Sequence, residues 1–212
     1  MSLLIFLSAA VLLKNSDFTK KLHKKEYLYL TGLAIGNGML LEQMLYGHFR
    51  VTGIGEQILW GMLAGGMLTA ACMDAMECWV YNYVWWWCLA CDITLLLLQK
   101  DFSRQRNLQQ MISVVVFIVL QQVFFVRMYG RADGHAFCVC AMAEAVCGGK
   151  MVLFLLHMLL AVILLAFVQF CRGNITRRGR LRKPQPFIPY IVVSFWMVLW
   201  GYCDTVTTYI YA

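Results

Sequence analysis

The stretch MVLFLLHMLLAVILLAFVQFC, residues 151–171, decides the fold class. It contains no Asp, Glu, Lys or Arg. A membrane-spanning helix needs about 20 consecutive apolar residues, so this stretch is long enough to cross a bilayer. The other apolar runs are the first 13 residues, 27–46, 57–73, 83–98, 111–126, 136–149 and 187–202. The sequence therefore predicts an all-α, polytopic helical membrane protein with about 6–8 transmembrane helices.

The overall composition favours the same class. Of the 212 residues, 61% are hydrophobic and 14% are charged, whereas about 25% of the residues in a soluble domain are charged. A signal peptide is the alternative for the first run, but residues 1–13 lack a basic N-terminal region and an Ala-x-Ala cleavage site. We therefore interpret them as a short first span, and we expect the lipid bilayer to surround one apolar core.

The basic residues are clustered, and this predicts a topology. The net charge is +7, and segments 14–25 and 172–183 hold 11 of the 18 Lys and Arg residues. Such clusters mark cytoplasmic loops, which favours a membrane protein over a nucleic-acid-binding one. Six apolar runs separate the two segments, and an even number places both on one side. The basic residues between 100 and 106 follow three crossings and fall on the other side. A re-entrant 83–98 would remove that conflict, so 83–98 is the weakest predicted span.

The nine cysteines do not predict a metal site. Cys88-x-x-Cys91 and Cys138-x-Cys140 have a metal-like spacing, but both pairs lie inside apolar runs. A structural zinc ion takes four clustered ligands, and no second pair follows in a polar loop. We expect buried, unreactive thiols, with no metal and no cofactor.

Ionisable residues inside membrane spans are costly and are candidate functional residues. For Asp92, Glu144 and His157 we favour side chains that are paired inside the bundle or lie at the interface. Asp74 and Asp133 differ, because each lies at a span end that the topology places on the cytoplasmic side. Two carboxylates that approach closely cannot both ionise, so the pair holds one proton at neutral pH. Such a pair can activate water and protonate a peptide carbonyl.

The residues around Asp133 leave two interpretations open. Gly130 permits backbone torsions that other residues avoid, and it lets another backbone approach closely. A loop from Gly130 to Asp133 would then carry the carboxylate to the edge of the next span. Alternatively, Asp133 is an ordinary acidic residue in the first turn of a helix, where the helix dipole favours it.

Three stretches, taken in order, resemble the type IV prepilin peptidases, which are GxGD-type intramembrane aspartic proteases. They are DAMECWVYN at 74–82, GRAD at 130–133 and KPQPFIPY at 183–190. The similar region covers roughly residues 57 to 205. Residues 57–212 are thus expected to form a prepilin-peptidase-like membrane core. Residues 1–56 would be an N-terminal extension with one or two extra spans.

The resemblance implies a role for each matching residue. Asp74 and Asp133 would be the catalytic pair, Gly130 and Ala132 would shape the Asp133 loop, and Asn82 would support the Asp74 loop. The entry to the last span would comprise Lys183, Pro184, Pro186, Phe187 and Pro189. The implied activity is endopeptidase cleavage of the basic leader of type IV pilin-like precursors. It would take place at the cytoplasmic face of the plasma membrane.

The sequence departs from the family pattern at several positions. Ala132 replaces the second glycine of the motif, which matters if that glycine needs a positive φ and less if it only provides space. Tyr81 replaces the usual proline, and Glu77 replaces a commonly basic residue. No zinc-binding cysteine domain is present, so we predict a peptidase without methyltransferase activity. The alternatives are a catalytically inactive homologue and a small proton-coupled transporter, and the sequence does not set the oligomeric state.

Overall fold

The computed structural model describes residues 2–14, parts of 32–43, and residues 53–98, 104–172 and 185–211. All regular structure in these ranges is helical, which confirms the predicted all-α class. Residues Phe125–Arg127 form a 3₁₀ turn. The α-helices are α1 (Ser2–Lys14), α2 (Ile54–Glu77), α3 (Asn82–Leu98), α4 (Arg104–Val123), α5 (Arg131–Val146), α6 (Met151–Cys171) and α7 (Ile188–Tyr211).

Three of these helical segments are long and apolar enough to span a membrane. They are Ile54–Glu77, Leu108–Arg127 and Met151–Cys171. The apolar segments Leu3–Leu13, Asn82–Leu98 and Ile188–Gly201 are shorter. The 17 residues of α3 extend about 26 Å at 1.5 Å per residue, less than the roughly 30 Å of a bilayer core. The count of about 6–8 spans therefore stays a prediction.

Helix α2 is the central helix of the bundle, with 72% of its apolar window buried. Glycines allow its neighbours to approach closely. A Cβ on Gly65 would lie 2.8 Å from the Ile5 carbonyl oxygen of α1, and a Cβ on Gly66 would lie 2.6 Å from Cys88 Sγ of α3. Helix α1 thus contributes to the same apolar core as the helices that follow residue 56.

Helices α5, α6 and α7 pack against one another beside this centre, and α3 and α4 also contact α5. Their shared core is aromatic: the Phe137 ring lies 5.8 Å from Phe187 and 5.5 Å from the His157 ring. The peripheral segments of α4 and α6 are each only 17% buried, and their exposed side chains are mostly apolar. Such surfaces suit contact with lipid rather than water.

The bounds of α5 differ from the apolar run at 136–149. The helix begins five residues earlier, at Arg131, because polar residues fit the first turn of a helix. It ends at Val146, where Gly148 adopts a positive φ of 86° and the Gly149 N–H donates a 2.8 Å hydrogen bond to the Glu144 carbonyl. This is a glycine-terminated helix end. Asp133 therefore lies in the first turn of the helix, which confirms the second of the two interpretations, and residues 131–133 do not form a loop.

Candidate active site

Asp74 lies in the last turn of α2, and 6% of its side chain is exposed. The helix ends three residues later, where Cys78 adopts the left-handed conformation and its N–H donates to the Asp74 carbonyl. The Asp74 side chain turns toward α7, and its Oδ2 accepts a 2.9 Å hydrogen bond from the Ile188 N–H. The backbone N–H of Phe187 also interacts with this carboxyl. Asp74 thus occupies the N-terminus of α7, where the helix dipole and free N–H groups favour an anion.

Asp133 lies in the first turn of α5 and is partly exposed. The preceding Gly130 has φ 163° and ψ 165°, which is extended backbone that any residue can adopt. The expectation that Gly130 supplies torsions closed to other residues is therefore wrong. Its role is spatial, because a Cβ at position 130 would lie 3.3 Å from Asp133 Oδ2. Glycine gives the carboxylate room to fold back over the helix start.

Ala132 is an ordinary helical residue. It is the second residue of α5 and does not have a positive φ. Its side chain is partly buried and packs against the hydrophobic core. Position 132 therefore does not require the positive φ that a glycine could supply.

The two carboxyl groups are electrostatically coupled. Burial, followed by the negative charge of Asp74, raises the pKa of Asp133 to about 7. The N–H groups at the start of α7 donate hydrogen bonds that suit the charged form of Asp74. Asp74 therefore has hydrogen-bond donors that favour its anion, whereas Asp133 keeps its proton up to a pH of about 7. Carboxyl groups whose environments differ in this way can act as a base and an acid.

A groove of about 480 Å³ lies between α3, α4 and α5. Asn82 is the first residue of α3 and is exposed. It lines the groove and also lies next to the connection between α2 and α3. His135, two residues after Asp133, lines the same groove and stacks on Trp85 with ring centroids 6.2 Å apart. Gln122 adds a further polar group, whereas most of the lining is apolar. The sequence did not single out His135 or Gln122, because neither has a motif around it.

The entry to the last helix is described from residue 185 onward, and Lys183 and Pro184 lie outside the described residues. Pro186 is partly exposed, and Pro189 is the second residue of α7, where a missing N–H is tolerated. Phe187 is buried, and its ring makes an edge contact with Tyr129 at 5.9 Å. The motif therefore places the N–H groups of Phe187 and Ile188 against Asp74.

Tyr129 was not predicted, although it directly precedes Gly130. Its ring packs against Phe125, Phe137 and Phe187. Its hydroxyl is buried, has no hydrogen-bond partner among the described residues, and interacts electrostatically with Asp133. The only signal in the sequence was its position beside the glycine motif.

The other intramembrane ionisable residues fall into two groups. Glu144 and His157 form a pair, with 2.7 Å between Oε1 and Nδ1, which confirms the predicted pairing. For Asp92 the described residues show no pairing. It is completely buried, and neither carboxyl oxygen has a hydrogen-bond partner among the described residues.

Cys88, Cys91 and Cys140 are buried free thiols, as the sequence suggested, and Cys138 is partly buried. Within the described ranges, no group of three or more His, Cys, Asp or Glu side chains is arranged to hold a metal ion.

Asp74 of α2 lies at the N-terminal end of α7 and interacts electrostatically with Asp133 of α5. Comparison with protein-family models, curated proteins and solved structures gives no significant match. The resemblance to prepilin peptidases accordingly stays a prediction. What the site does is inferred from its own geometry.

Proposed function

We propose that the protein is an intramembrane aspartic endopeptidase that uses Asp74 and Asp133 to activate water. The observation that carries the proposal is the electrostatic coupling of these two carboxyl groups: burial, and after it the charge of Asp74, raises the pKa of Asp133 to about 7. A protonated carboxyl next to an ionised one is the arrangement that aspartic proteases use. No metal or cofactor takes part in the proposed reaction.

The surroundings of the two residues suggest which one is the base. Asp74, held by the Ile188 N–H, takes a proton from water while the water oxygen attacks the peptide carbon. Asp133 donates its proton to the carbonyl oxygen, which gives a tetrahedral diol. The diol then collapses: Asp74 passes its proton to the leaving amine, and a diol hydroxyl returns a proton to Asp133. Each carboxyl regains its starting state.

The proposed substrate is a type IV pilin-like precursor with a basic leader and an apolar helix. The basic leader would lie near the acidic pair, and the apolar segment would enter the groove lined by Trp85 and Trp86. We further propose about 6–8 spans in the plasma membrane, with the pair facing the cytoplasm, and no methyltransferase activity. The predicted topology supports this orientation, because even numbers of crossings separate Asp74 and Asp133 from the first basic segment.

An inactive homologue is the alternative that Ala132 suggested. Ala132 lies in the first turn of α5, and alanine has a high helix propensity, so the substitution is compatible with an active site. A proton-coupled transporter is favoured by a different observation, namely the buried carboxyl of Asp92 without a described partner. An intramembrane acid of this kind suits a proton path.

Cleavage by the purified protein in lipid nanodiscs tests the proposal. The probe is a synthetic precursor with a basic leader followed by an apolar helix, and the product is identified by N-terminal sequencing. The variants are Asp74→Asn and Asp133→Asn, because asparagine keeps the size of the side chain but carries no exchangeable carboxyl proton. We expect the wild type to cleave at the junction and both variants to lose about 100-fold or more in rate.

Asp92→Asn is the matched control, since it makes the same substitution at a buried aspartate outside the proposed site. It should cleave at the wild-type rate. Cleavage that survives in Asp74→Asn or Asp133→Asn would contradict the proposed mechanism. Proton flux into liposomes that requires Asp92, without any cleavage, would instead identify a transporter.

A further inference from the structure

A chain of buried polar contacts connects α5, α6 and α7. Glu144 of α5 lies 2.7 Å from Nδ1 of His157 in α6, and both side chains are at most 1% exposed. The other ring nitrogen of His157, Nε2, lies 2.9 Å from the carbonyl oxygen of Ile191 in α7. A carbonyl oxygen only accepts hydrogen bonds, so Nε2 carries a hydrogen. Glu144 lies on the Nδ1 side of the same ring.

The Ile191 carbonyl, which accepts the hydrogen bond from His157, lies in the same turn of α7 as the Ile188 N–H, which holds Asp74. Ile188 and Ile191 are three residues apart in the first turn of α7, and both are completely buried. The Ile188 N–H bonds Asp74 in α2, and the Ile191 carbonyl accepts from His157 in α6. The first turn of α7 is therefore fixed from two sides by groups on different helices.

Packing alone does not account for this polar pair. The His157 ring is surrounded by aromatic rings, with Phe137 at 5.5 Å and Phe195 at 6.0 Å. A phenylalanine would suit such surroundings. Replacing both members of a buried polar pair by apolar side chains of similar volume is often neutral or stabilising. The specific feature that such a replacement would remove is the hydrogen bond to the Ile191 carbonyl.

We propose that His157 is a positioning residue that fixes the first turn of α7 so that the Ile188 N–H holds Asp74 in its working orientation. Glu144 holds the His157 ring with Nε2–H directed at Ile191. The catalytic part of this inference rests on the proposed peptidase function. The structural part, the support of the Ile188–Asp74 contact by His157, does not.

The test uses the double variant Glu144→Leu/His157→Phe, which removes both polar groups and leaves neither partner unpaired. We expect its melting temperature to stay within about 4 °C of the wild type. Cleavage of the synthetic precursor should lose about 10- to 100-fold in kcat with KM unchanged. Hydrogen exchange of the backbone amides of Ile188, Tyr190 and Ile191, measured in nanodiscs, should become at least about 10-fold faster.

Ser194→Ala is the matched control. Ser194 Oγ also donates to the Ile191 carbonyl, at 2.9 Å, but from within α7, so its loss leaves the link to α6 intact. It should change neither kcat nor the exchange of 188–191. A folded double variant with wild-type kcat and wild-type exchange would overturn the proposal, and so would a loss in Ser194→Ala as large as in the double variant.

The two readouts separate this inference from the proposed function. If the wild type cleaves no precursor but the double variant still exchanges faster at 188–191, the peptidase proposal fails and the structural support by His157 stands. If the wild type cleaves and the double variant matches it in both readouts, the peptidase proposal stands and the positioning role is wrong.

Discussion

The backbone N–H of Ile188 donates a 2.9 Å hydrogen bond to Oδ2 of Asp74, although the two residues are 114 positions apart in the chain. The contact places a carboxylate at the N-terminus of α7, where unpaired N–H groups and the helix dipole favour negative charge. Asp133 lies in the first turn of α5, and burial together with the charge of Asp74 raises its pKa to about 7. This difference between two neighbouring carboxyl groups underlies the predictions below.

Gly130→Ala should reduce cleavage without unfolding the protein. The backbone at residue 130 is extended and accepts alanine, but the new Cβ would lie 3.3 Å from Asp133 Oδ2 and push the carboxyl aside by a few tenths of an ångström. We expect a loss of about 10-fold in kcat, since small misplacements of reacting groups are costly. Steady-state cleavage and thermal unfolding of the same preparation measure both effects.

Gly134→Ala is the control for that substitution. A Cβ there would lie 3.7 Å from Gln122 Nε2, which is an ordinary van der Waals distance. This variant should cleave like the wild type and unfold at an equal or higher temperature, because alanine is more stable than glycine in the interior of a helix. Equal kcat values for Gly130→Ala and the wild type would show that the space beside Asp133 is not needed.

Ala132→Gly should not increase activity, although it restores the family motif. Ala132 is helical and has no positive φ for a glycine to relieve. We expect unchanged cleavage and a loss of up to about 1 kcal/mol in the free energy of unfolding, the usual cost of glycine in a helix. A large gain in kcat would show that the working conformation at this position differs from the helical one.

Stability should fall as the pH rises, because of Asp133. Its pKa is raised by burial and by Asp74 from the ordinary 3.8 to about 7 in the folded protein. Between these two values the folded state holds a proton that the unfolded state has released. The stabilisation is complete below pH 3.8 and is lost as the pH rises through about 7. Asparagine at position 133 does not titrate, so Asp133→Asn lacks this component.

Thermal unfolding of both proteins from pH 4 to 8 measures the effect. The melting temperature of the wild type, relative to Asp133→Asn, should decrease across this window by up to roughly 8–16 °C, because the change in the pKa of Asp133 from 3.8 to about 7 corresponds to at most about 4 kcal/mol. The difference should level off above the upper pKa. A difference that is constant with pH would mean that Asp133 titrates alike in the folded and unfolded states.

Gly65→Ala should loosen α1 from the bundle. The Cβ would lie 2.8 Å from the Ile5 carbonyl oxygen, a backbone atom that has little freedom to move. Overpacking of this kind costs about 1–3 kcal/mol. Gly55→Ala, where nothing lies within 4 Å of the Cβ, should leave stability unchanged or slightly improved. Protease accessibility of α1 and thermal unfolding distinguish the two, and equal stability of both variants would contradict the tight α1–α2 contact.

Apolar runs and polar exceptions were enough to predict the helical class and the candidate residues. Run 151–171 corresponds to α6 without a shift, since a peripheral helix in lipid needs apolar residues over its whole length. The start of α5 was placed too late, because Arg131 and Asp133 form a polar first turn that an apolar run does not include. Asp74 and Asp133 were selected because they lie next to span ends.

The sequence does not identify the groups that contact Asp74, Glu144 and Asp92. Asp74 is held by a backbone N–H, and every residue except proline has one, so no side chain marks Ile188. Glu144 and His157 lie on different helices joined by a glycine turn, and only the packing of α5 against α6 brings them together. Asp92, like Glu144, is an acidic residue within an apolar run. It has no hydrogen-bond partner among the described residues, and nothing in the sequence distinguishes it from Glu144.

The most direct test of the account is whether Asp74 and Asp133 titrate as an interacting pair. Selectively labelled Asp133 can be titrated by carboxyl-detected NMR in nanodiscs, in the wild type and in Asp74→Asn. We predict a wild-type pKa near 7, raised by burial and by the charge of Asp74. In Asp74→Asn the pKa should fall but stay above 3.8, because burial remains. An identical pKa of Asp133 in both proteins would contradict the pair, and with it the proposed acid and base.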